Sequence, residues 1–360
     1  MFHLIGIHDL ESLAQIIDGK LTCQNTTFSS LVVDSRKVVK DSVFLALKGD
    51  TYDGSSYCQD AIDKGAVAVI TDIKTAINDA IIVDDTYLSL LMLAQYQQQK
   101  IKPKTVAITG SNGKTTVKEM IGQILREKDL VITHKNENNE FGIPFTVLRL
   151  TVETKYLILE CGARKFGDFN LISEFLNFDI VVITNINNSH IEIFETIENI
   201  IKTKTKLFNA LKHNGLIIDG ANFNKISYPL DGFKQNNSTI TIYGNNNREV
   251  WRSFSEPVKN PGKYNLRFSN EEDDIYTINE VNLGAKHNDK NALISFIIAK
   301  KIGIKIDVAL EKLSSIQLQL SDRFFIKRVG NHVLIDDTYN ANPVSMHAAI
   351  DELKSNNFYP

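Results

Sequence analysis

Short apolar runs alternate with helical patterns along the first hundred residues. Val43-Phe44-Leu45-Ala46-Leu47 and Ala66-Val67-Ala68-Val69-Ile70 read as strands, and Cys58 to Lys64 and Tyr87 to Gln99 read as helices. This order predicts a compact α/β unit over residues 1–100. The polar stretch Gln97-Gln98-Gln99-Lys100-Ile101-Lys102-Pro103-Lys104 has the charge and proline of a linker, which sets a boundary near residue 101.

Beyond that boundary the pattern becomes strand, loop, helix. Thr105 to Thr109, Tyr156 to Glu160, Asp179 to Thr184 and Leu216 to Ile218 are continuous apolar runs, as expected of strands covered on both faces. A mostly parallel sheet with helices on both sides follows, over residues 101–316. The Asn- and Ser-rich region 231–280, with Ser238 to Tyr243 as a β-like piece, is expected to be an antiparallel excursion of that sheet. A helix from about Asn288 to Lys301 closes the domain. A new strand pair, Phe324 to Arg328 and His332 to Asp336, opens a third unit over 317–360.

Length agrees with this division: 360 residues at roughly 150 per domain imply two or three domains. With 43% hydrophobic and 23% charged residues the chain is expected to fold as a globular protein. A formal charge of −3 offers no bulk attraction for nucleic acid or an anionic membrane, so any phosphate site has to be local. Cys23, Cys58 and Cys161 are scattered and odd in number, which suits a reducing compartment. The N-terminus lacks the basic start and apolar core of a signal peptide, and no run approaches the ~20 residues of a membrane helix. A soluble cytoplasmic protein is expected.

The strongest local signal is Ile108-Thr109-Gly110-Ser111-Asn112-Gly113-Lys114-Thr115-Thr116, which follows an apolar strand and precedes the helical run Val117 to Arg126. Gly110 and Gly113 let the backbone turn its N–H groups toward phosphate oxygens, and the helix start adds a favourable dipole. Lys114 is then expected on the β/γ-phosphates, with the Thr115 hydroxyl offered to Mg²⁺. The match is to a short G-x-x-G-K-T form. A Gly-rich turn carrying a solvated lysine is the plainer alternative.

Ligands gather at the carboxyl ends of parallel strands. Glu160 ends one strand and His190 lies a few residues beyond another, so both stand as candidate metal ligands, Glu for hard Mg²⁺ and His more often for softer ions. Each taken alone also suits a rim or core position. The helix expected from Thr196 to Leu211 carries an apolar stripe at Ile197, Ile200, Ile201, Leu207, Phe208 and Leu211, with Lys204 in the stripe. A lysine there must snorkel, pair with an acid, or lose its charge, for example as a carbamate formed with CO₂. Composition selects none of these.

These residues resemble the Mur ligase family. The resemblance runs from Asp34-Ser35-Arg36-Lys37-Val38 and Val43 to Gly49, through Thr109 to Thr116, to Asp336-Asp337-Thr338-Tyr339-Asn340-Ala341-Asn342-Pro343. It covers nearly the whole chain. Asn138-Asn139-Glu140-Phe141-Gly142-Ile143-Pro144 and the Tyr-Asn-Ala-Asn-Pro run are most similar to the member that joins D-alanyl-D-alanine to UDP-N-acetylmuramoyl-tripeptide with ATP, through an acyl phosphate, in peptidoglycan synthesis.

The resemblance implies a role for each matched position. Ser35, Arg36, Phe44, Ala46 and Gly49, with Asn138 and Asn139, would bind the UDP-substrate. Gly110, Ser111, Asn112, Gly113, Lys114, Thr115 and Thr116 would cradle the ATP phosphates. Thr115 and Glu160 would hold a first Mg²⁺, and His190 a second together with a carbamate on Lys204. Lys114, Lys204 and His190 would thus form the catalytic set. Asn288 and Asn291 resemble the adenine-side motif, while Arg323 and Asp337 resemble residues reaching ATP from the third domain.

Three positions depart from the family pattern: Lys206 where Glu is usual, Asp322 where Gly is usual, and Lys286 where Arg is usual. A dinucleotide-fold third domain of ~100–150 residues is also expected after residue 320 or so, and only its first strand pair and helix are present before Pro360. On this expectation the chain is a monomer that binds nucleotide and, with an incomplete third domain, ligates poorly. A sibling Mur-type ligase, a folylpolyglutamate-type ligase, and a nucleotide-binding remnant without ligase activity are the competing readings.

Overall fold

The computed structural model describes residues 1–49, 51–73, 77–125, 129–221, 238–242, 249–259, 262–318, 325–330, 332–339, 341 and 343–355. The N-terminal unit runs α1 (Leu10–Ile16), β1 (Lys20–Leu21), β2 (Ser30–Val32), β3 (Ser42–Leu45), α2 (Cys58–Asp63), β4 (Ala66–Thr71), β5 (Ala80–Ile82) and α3 (Thr86–Ile101). Its sheet has the order β1-β5-β4-β3-β2 and is parallel except where β1 meets β5. Successive residues of the apolar strands serve opposite faces. Val43, Leu45, Ala68 and Ile70 pack with Leu10 and Leu13 of α1, and Phe44 and Val69 pack with Cys58 and Ala61 of α2.

Helix α3 starts where Asp85 accepts hydrogen bonds from the N–H groups of Tyr87 and Leu88, and it stops at Lys102, whose backbone is left-handed. The stretch Gln97 to Lys104 is therefore not the linker expected from its polarity: helix runs through Ile101 and β6 (Lys104–Thr109) begins three residues later. Gln97 and Gln98 are buried because their amides satisfy main-chain groups. Gln97 bonds Ile5, His3 and Leu150, and Gln98 bonds Asn177.

After β6 come α4 (Lys114–Ile124), β7 (Leu130–Ile132), α5 (Gly142–Leu148), β8 (Tyr156–Glu160), α6 (Asn170–Phe175), β9 (Phe178–Ile183), α7 (Ile191–Phe194) and α8 (Ile197–Thr205). Then follow β10 (Leu211–Asp219), β11 (Ser238–Ile242), β12 (Glu249–Pro257), β13 (Lys263–Asn270), β14 (Ile275–Asn282), α9 (Asn288–Lys301) and α10 (Ile306–Ser314). The nine strands form one sheet, ordered β14-β13-β12-β11-β10-β9-β6-β8-β7. Val106, Ile108, Ile158 and Val182 face α4, α9 and α10, while Ala107, Leu157, Leu159 and Val181 face α3, α5, α6 and α8. Both faces are covered, which is why the strands read as unbroken apolar runs.

Two expectations need correction. Ser238–Ile242 pairs in parallel with β10, and β12 pairs in parallel with β11; antiparallel pairing begins only at β12/β13 and continues to β14. Helix α8 ends at Thr205 rather than Leu211. A tighter turn over Lys206–Ala210 follows, and Leu211 already begins β10. The last described elements are the antiparallel pair β15 (Phe325–Val329) and β16 (His332–Asp336), then α11 (Pro343–Ser355). Glu352 of α11 is buried, accepting from Tyr264 and, at 2.8 Å, from the Lys286 N–H.

Candidate active site

The strand order places β6 between β8 and β9, yet the connection leaving β6 crosses one face and those leaving β8 and β9 cross the other. The loops at these three carboxyl ends diverge and leave a crevice. Thr109, Glu160 and Thr184 stand at or just past those ends.

The loop after β6 turns through Gly110 (φ +145°) and Gly113 (φ +82°), and Gly113 precedes the first residue of α4, Lys114. No side chain fits at either glycine. A Cβ on Gly110 would stand 2.0 Å from the Thr184 hydroxyl, and one on Gly113 would stand 2.7 Å from the Asn291 amide oxygen. The loop is held from β9's side. The Ser111 N–H donates to Asn185 O at 3.0 Å, the Asn112 N–H to Asn185 Oδ1 at 2.8 Å, and the Thr184 hydroxyl to Asn112 O at 2.5 Å. The Ser111 hydroxyl donates to Asn187 O at 3.0 Å. Such a preformed turn leading into a helix N-terminus is suited to phosphate.

Lys114 and Lys204 converge on one carbonyl. Lys114 Nζ donates to Gly110 O at 2.8 Å and to Ser111 O at 3.2 Å, and Lys204 Nζ reaches Gly110 O at 3.2 Å from α8. Lys204 is 5% exposed. Burial, and then the charge of Lys114, bring its pKa down to about 7. The lysine in the apolar stripe thus does not snorkel out and, among the described residues, pairs with no acid; it points at the phosphate loop.

Glu160, 2% exposed, ends β8 with Oε1 accepting from the Thr115 hydroxyl at 3.0 Å and from Asn138 Nδ2 at 2.9 Å. Its own N–H is held by the Thr133 hydroxyl at 2.9 Å. His190 precedes α7 in a left-handed conformation (φ 58°), exposed at the rim. Partial burial first, and then the charges of Lys114 and Lys204, lower its pKa.

The structure therefore brings Gly110 to Thr116, Glu160, Lys204, His190 and Asn138 together. Asn291 joins them against Gly113, its amide donating to Asn288 Oδ1 at 2.8 Å, while Asn288 Nδ2 donates to Leu283 O at 2.9 Å. The Asn139 side chain accepts from the N–H of Gly142, the first residue of α5, at 2.9 Å. Asp337, half-buried just past β16, acts electrostatically on His287, the neighbour of Asn288. Arg323 lies outside the described residues.

The N-terminal candidates remain in their own unit. Arg36 forms a two-pronged bond to Asp34 at 2.8 and 2.9 Å, which helps hold that carboxyl down to about 2, and Ser35 O accepts from Lys64 at 3.3 Å. Phe44 and Ala46 are buried in the core against α2. The main chain of Gly49 bonds Tyr52 O at 2.9 Å.

Sequence reasoning missed Thr133, Thr184, Asn185 and Asn187, which shape the site through main-chain contacts. A cluster of polar residues directly after an apolar strand was the available signal. It also missed Tyr339, whose hydroxyl donates to Asn136 Oδ1 at 2.9 Å and so ties the third unit to the loop carrying Asn138.

Among the described residues no three His, Cys, Asp or Glu side chains gather as a metal cage. One buried carboxylate beside a threonine hydroxyl instead fits Mg²⁺, which keeps water and substrate phosphate as its other ligands. Nor, among the described residues, is any helix long and apolar enough to cross a membrane.

Comparisons with known proteins point to one family. Residues 108–299 match the Mur ligase middle domain, and residues 27–128 match the Mur ligase family, catalytic domain. The UDP-N-acetylmuramoyl-tripeptide–D-alanyl-D-alanine ligase of Haemophilus influenzae is 33% identical over 353 residues, which cover 95% of this chain and 75% of that one. MurF from Acinetobacter baumannii superposes with a TM-score of 0.86 at 26% identity, over 96% of this chain and 76% of that one. MurF ligase from Thermotoga maritima, solved in complex with ADP, gives 0.78 at 25% identity, over 90% of this chain and 74% of that one. With a middle-domain match over more than half its length and a relative this similar, the chain belongs to the Mur ligase family.

Proposed function

We propose that this chain is the ATP-dependent ligase that joins D-alanyl-D-alanine to UDP-N-acetylmuramoyl-tripeptide in peptidoglycan precursor synthesis. The supporting observation is the gathering of Lys114, Thr115, Glu160 and Lys204 at one glycine loop, with His190 under the electrostatic influence of both lysines, in a chain similar throughout to ligases of that name. ATP binding is supported by the loop geometry and by the ADP complex of the Thermotoga relative.

In this reading a carboxylate oxygen of the tripeptide attacks the γ-phosphorus of ATP and ADP departs. The amine of D-alanyl-D-alanine then attacks the acyl carbon, losing a proton, and phosphate leaves. Nucleophile and triphosphate are both anionic, so positioning and charge neutralisation supply most of the rate. Lys114 contributes a cation fixed by two carbonyls, and the N–H groups of the loop orient the phosphates. Thr115 and Glu160 would hold one Mg²⁺ and His190 another, and these ions supply further neutralisation at the transferred phosphoryl group.

Lys204 has the property that carbamate formation requires. Its neutral amine adds to CO₂, forming an N–C bond and releasing one proton, and the resulting anion would serve as a ligand beside His190. The Ser35–Arg36 turn and Gly49 would meet the uridine nucleotide.

The test is ATP-dependent phosphate release with single amino acids and with D-alanyl-D-alanine, each with muramyl acceptor, and mass spectrometry of the product. Release only with D-alanyl-D-alanine and acceptor together, with a product of matching mass, is the expected result. Release independent of acceptor overturns the reading in favour of a plain ATPase.

A further inference from the structure

A second buried lysine has no part in the account above. Lys118 lies one helical turn beyond Lys114 on α4, between Val117 and the apolar Met120 and Ile121, and is 1% exposed. Its Nζ donates to Thr133 O at 3.1 Å, pairs with Glu119 Oε1 at 2.9 Å, and stands 3.7 Å from Glu160 Oε2. Among the described residues its polar partners are Thr133, Glu119 and Glu160, so it sits behind the carboxylate.

The two oxygens of Glu160 differ. Oε1 faces the crevice and takes hydrogen bonds from Thr115 and Asn138. Oε2 is buried without a hydrogen-bond partner among the described residues, and the ammonium of Lys118 is the cation beside it. Thr133 links the two residues, accepting from Lys118 through its carbonyl and from the Glu160 N–H through its hydroxyl. A buried carboxylate needs a counter-charge, and a buried ammonium needs one equally.

We infer that Lys118 is the built-in counter-ion of Glu160, a positioning residue that turns Oε1 alone toward the crevice and keeps the resting site near electrical neutrality. The inference rests on the reading of Glu160 as a cation ligand. Its consequence is ordered loading. With Lys118 in place, a bare divalent cation gains little from a carboxylate already paired and is repelled by a fixed positive charge close behind it. The cation therefore binds well only when it arrives with the additional negative charge of the nucleotide phosphates. Without Lys118, Glu160 loses the cation beside its buried oxygen and recruits a divalent ion more readily by itself.

The experiment measures Mn²⁺ binding to the full chain at pH 8 by the loss of free Mn²⁺ signal in electron paramagnetic resonance, with and without ADP. Lys118→Gln keeps a donor for Thr133 O without the charge; Lys118→Met and Lys118→Arg accompany it, so that one poorly folding variant does not end the test. The expected result is at least tenfold tighter nucleotide-free Mn²⁺ binding in the neutral variants, values close to the parent in Lys118→Arg, and a much smaller gap between binding with and without ADP. Folded neutral variants that bind bare Mn²⁺ no more tightly than the parent overturn the inference. Glu160→Gln separates the two levels: if it leaves Mn²⁺ binding in the presence of ADP unchanged, the reading of Glu160 as a cation ligand fails instead.

Discussion

Lys204 carries an electrostatic cost that the fold tolerates. Its pKa of about 7 lies well below the ordinary lysine value of 10.5, so between those values the unfolded chain binds a proton that the folded chain does not. Raising the pH through that window stabilises the fold, and below about 7 the whole penalty is present. Lys204→Met is therefore expected to raise stability by about 1–3 kcal/mol at pH 7 and to flatten its increase between pH 7 and 9. The Gly110 carbonyl is not orphaned, because Lys114 still donates to it at 2.8 Å. Denaturant unfolding in CO₂-free buffer at both pH values checks this, and a loss of stability at pH 7 contradicts it. Ligation should be lost in the same variant. Thr133 is a neutral counterpart: Thr133→Val strands the buried Glu160 N–H and should cost about 1–2 kcal/mol, while Thr133→Ser should cost less.

At the level of elements, the glycine loop and the short helix α5 show how backbone shape places charge. Gly110→Ala forces a Cβ to within 2.0 Å of the Thr184 hydroxyl at φ +145°, so the loop must move. The expected outcome is loss of nucleotide binding and a stability loss of about 2 kcal/mol or more. Gly142→Ala is less obvious. Its Cβ would lie 2.2 Å from the Glu137 carbonyl carbon, so accommodating it displaces the segment that carries Asn138 to Glu160. A weaker divalent-cation dependence of nucleotide binding, measured by calorimetric titration, should accompany it; unchanged dependence in a folded variant argues against Asn138 as a support for Glu160. The central strands and α9 were legible because unbroken apolar runs between glycine turns leave few alternatives. Lys204 was legible as an anomaly because the helical stripe around it is clear. Lys118 sits in a similar apolar context and passed unnoticed, since a lysine after a phosphate motif reads as solvated. Thr133 and Asn185 act through main-chain partners that come close only when β7 lies beside β8 and β9 lies beside β6. Gln97 read as linker for the same reason: its polarity says nothing of the three main-chain groups that make burial acceptable.

Those three groups define how the whole molecule holds together. Gln97 belongs to the helix that leaves the N-terminal unit; its amide accepts from the Ile5 N–H at 3.1 Å and donates to His3 O at 3.1 Å and to Leu150 O at 3.0 Å. One side chain thus joins the first strand-like segment of the chain to the end of α5 in the central unit. Around it Phe2 stacks on Phe145 with centroids 5.6 Å apart, and the Tyr87 hydroxyl donates to Glu140 O at 3.1 Å. Leu90 and Leu93 of α3 pack into the N-terminal core while Leu91 and Ala94 pack into the central one, so the same helix serves both. Under the proposed function this junction fixes the distance between the uridine-binding turn and the phosphate loop. Gln97→Leu has nearly the same volume but takes the partner from one part-buried N–H, one part-buried carbonyl and the buried Leu150 carbonyl, which should cost about 1–3 kcal/mol. Because the cost falls on the junction and spares both sheets, the two units should begin to melt separately. Scanning calorimetry should then give a calorimetric enthalpy exceeding the van't Hoff value, with the parent chain closer to a single transition. A single, equally cooperative transition merely shifted to lower temperature would mean that α3 alone couples the two cores and that the Gln97 contacts contribute only local stability.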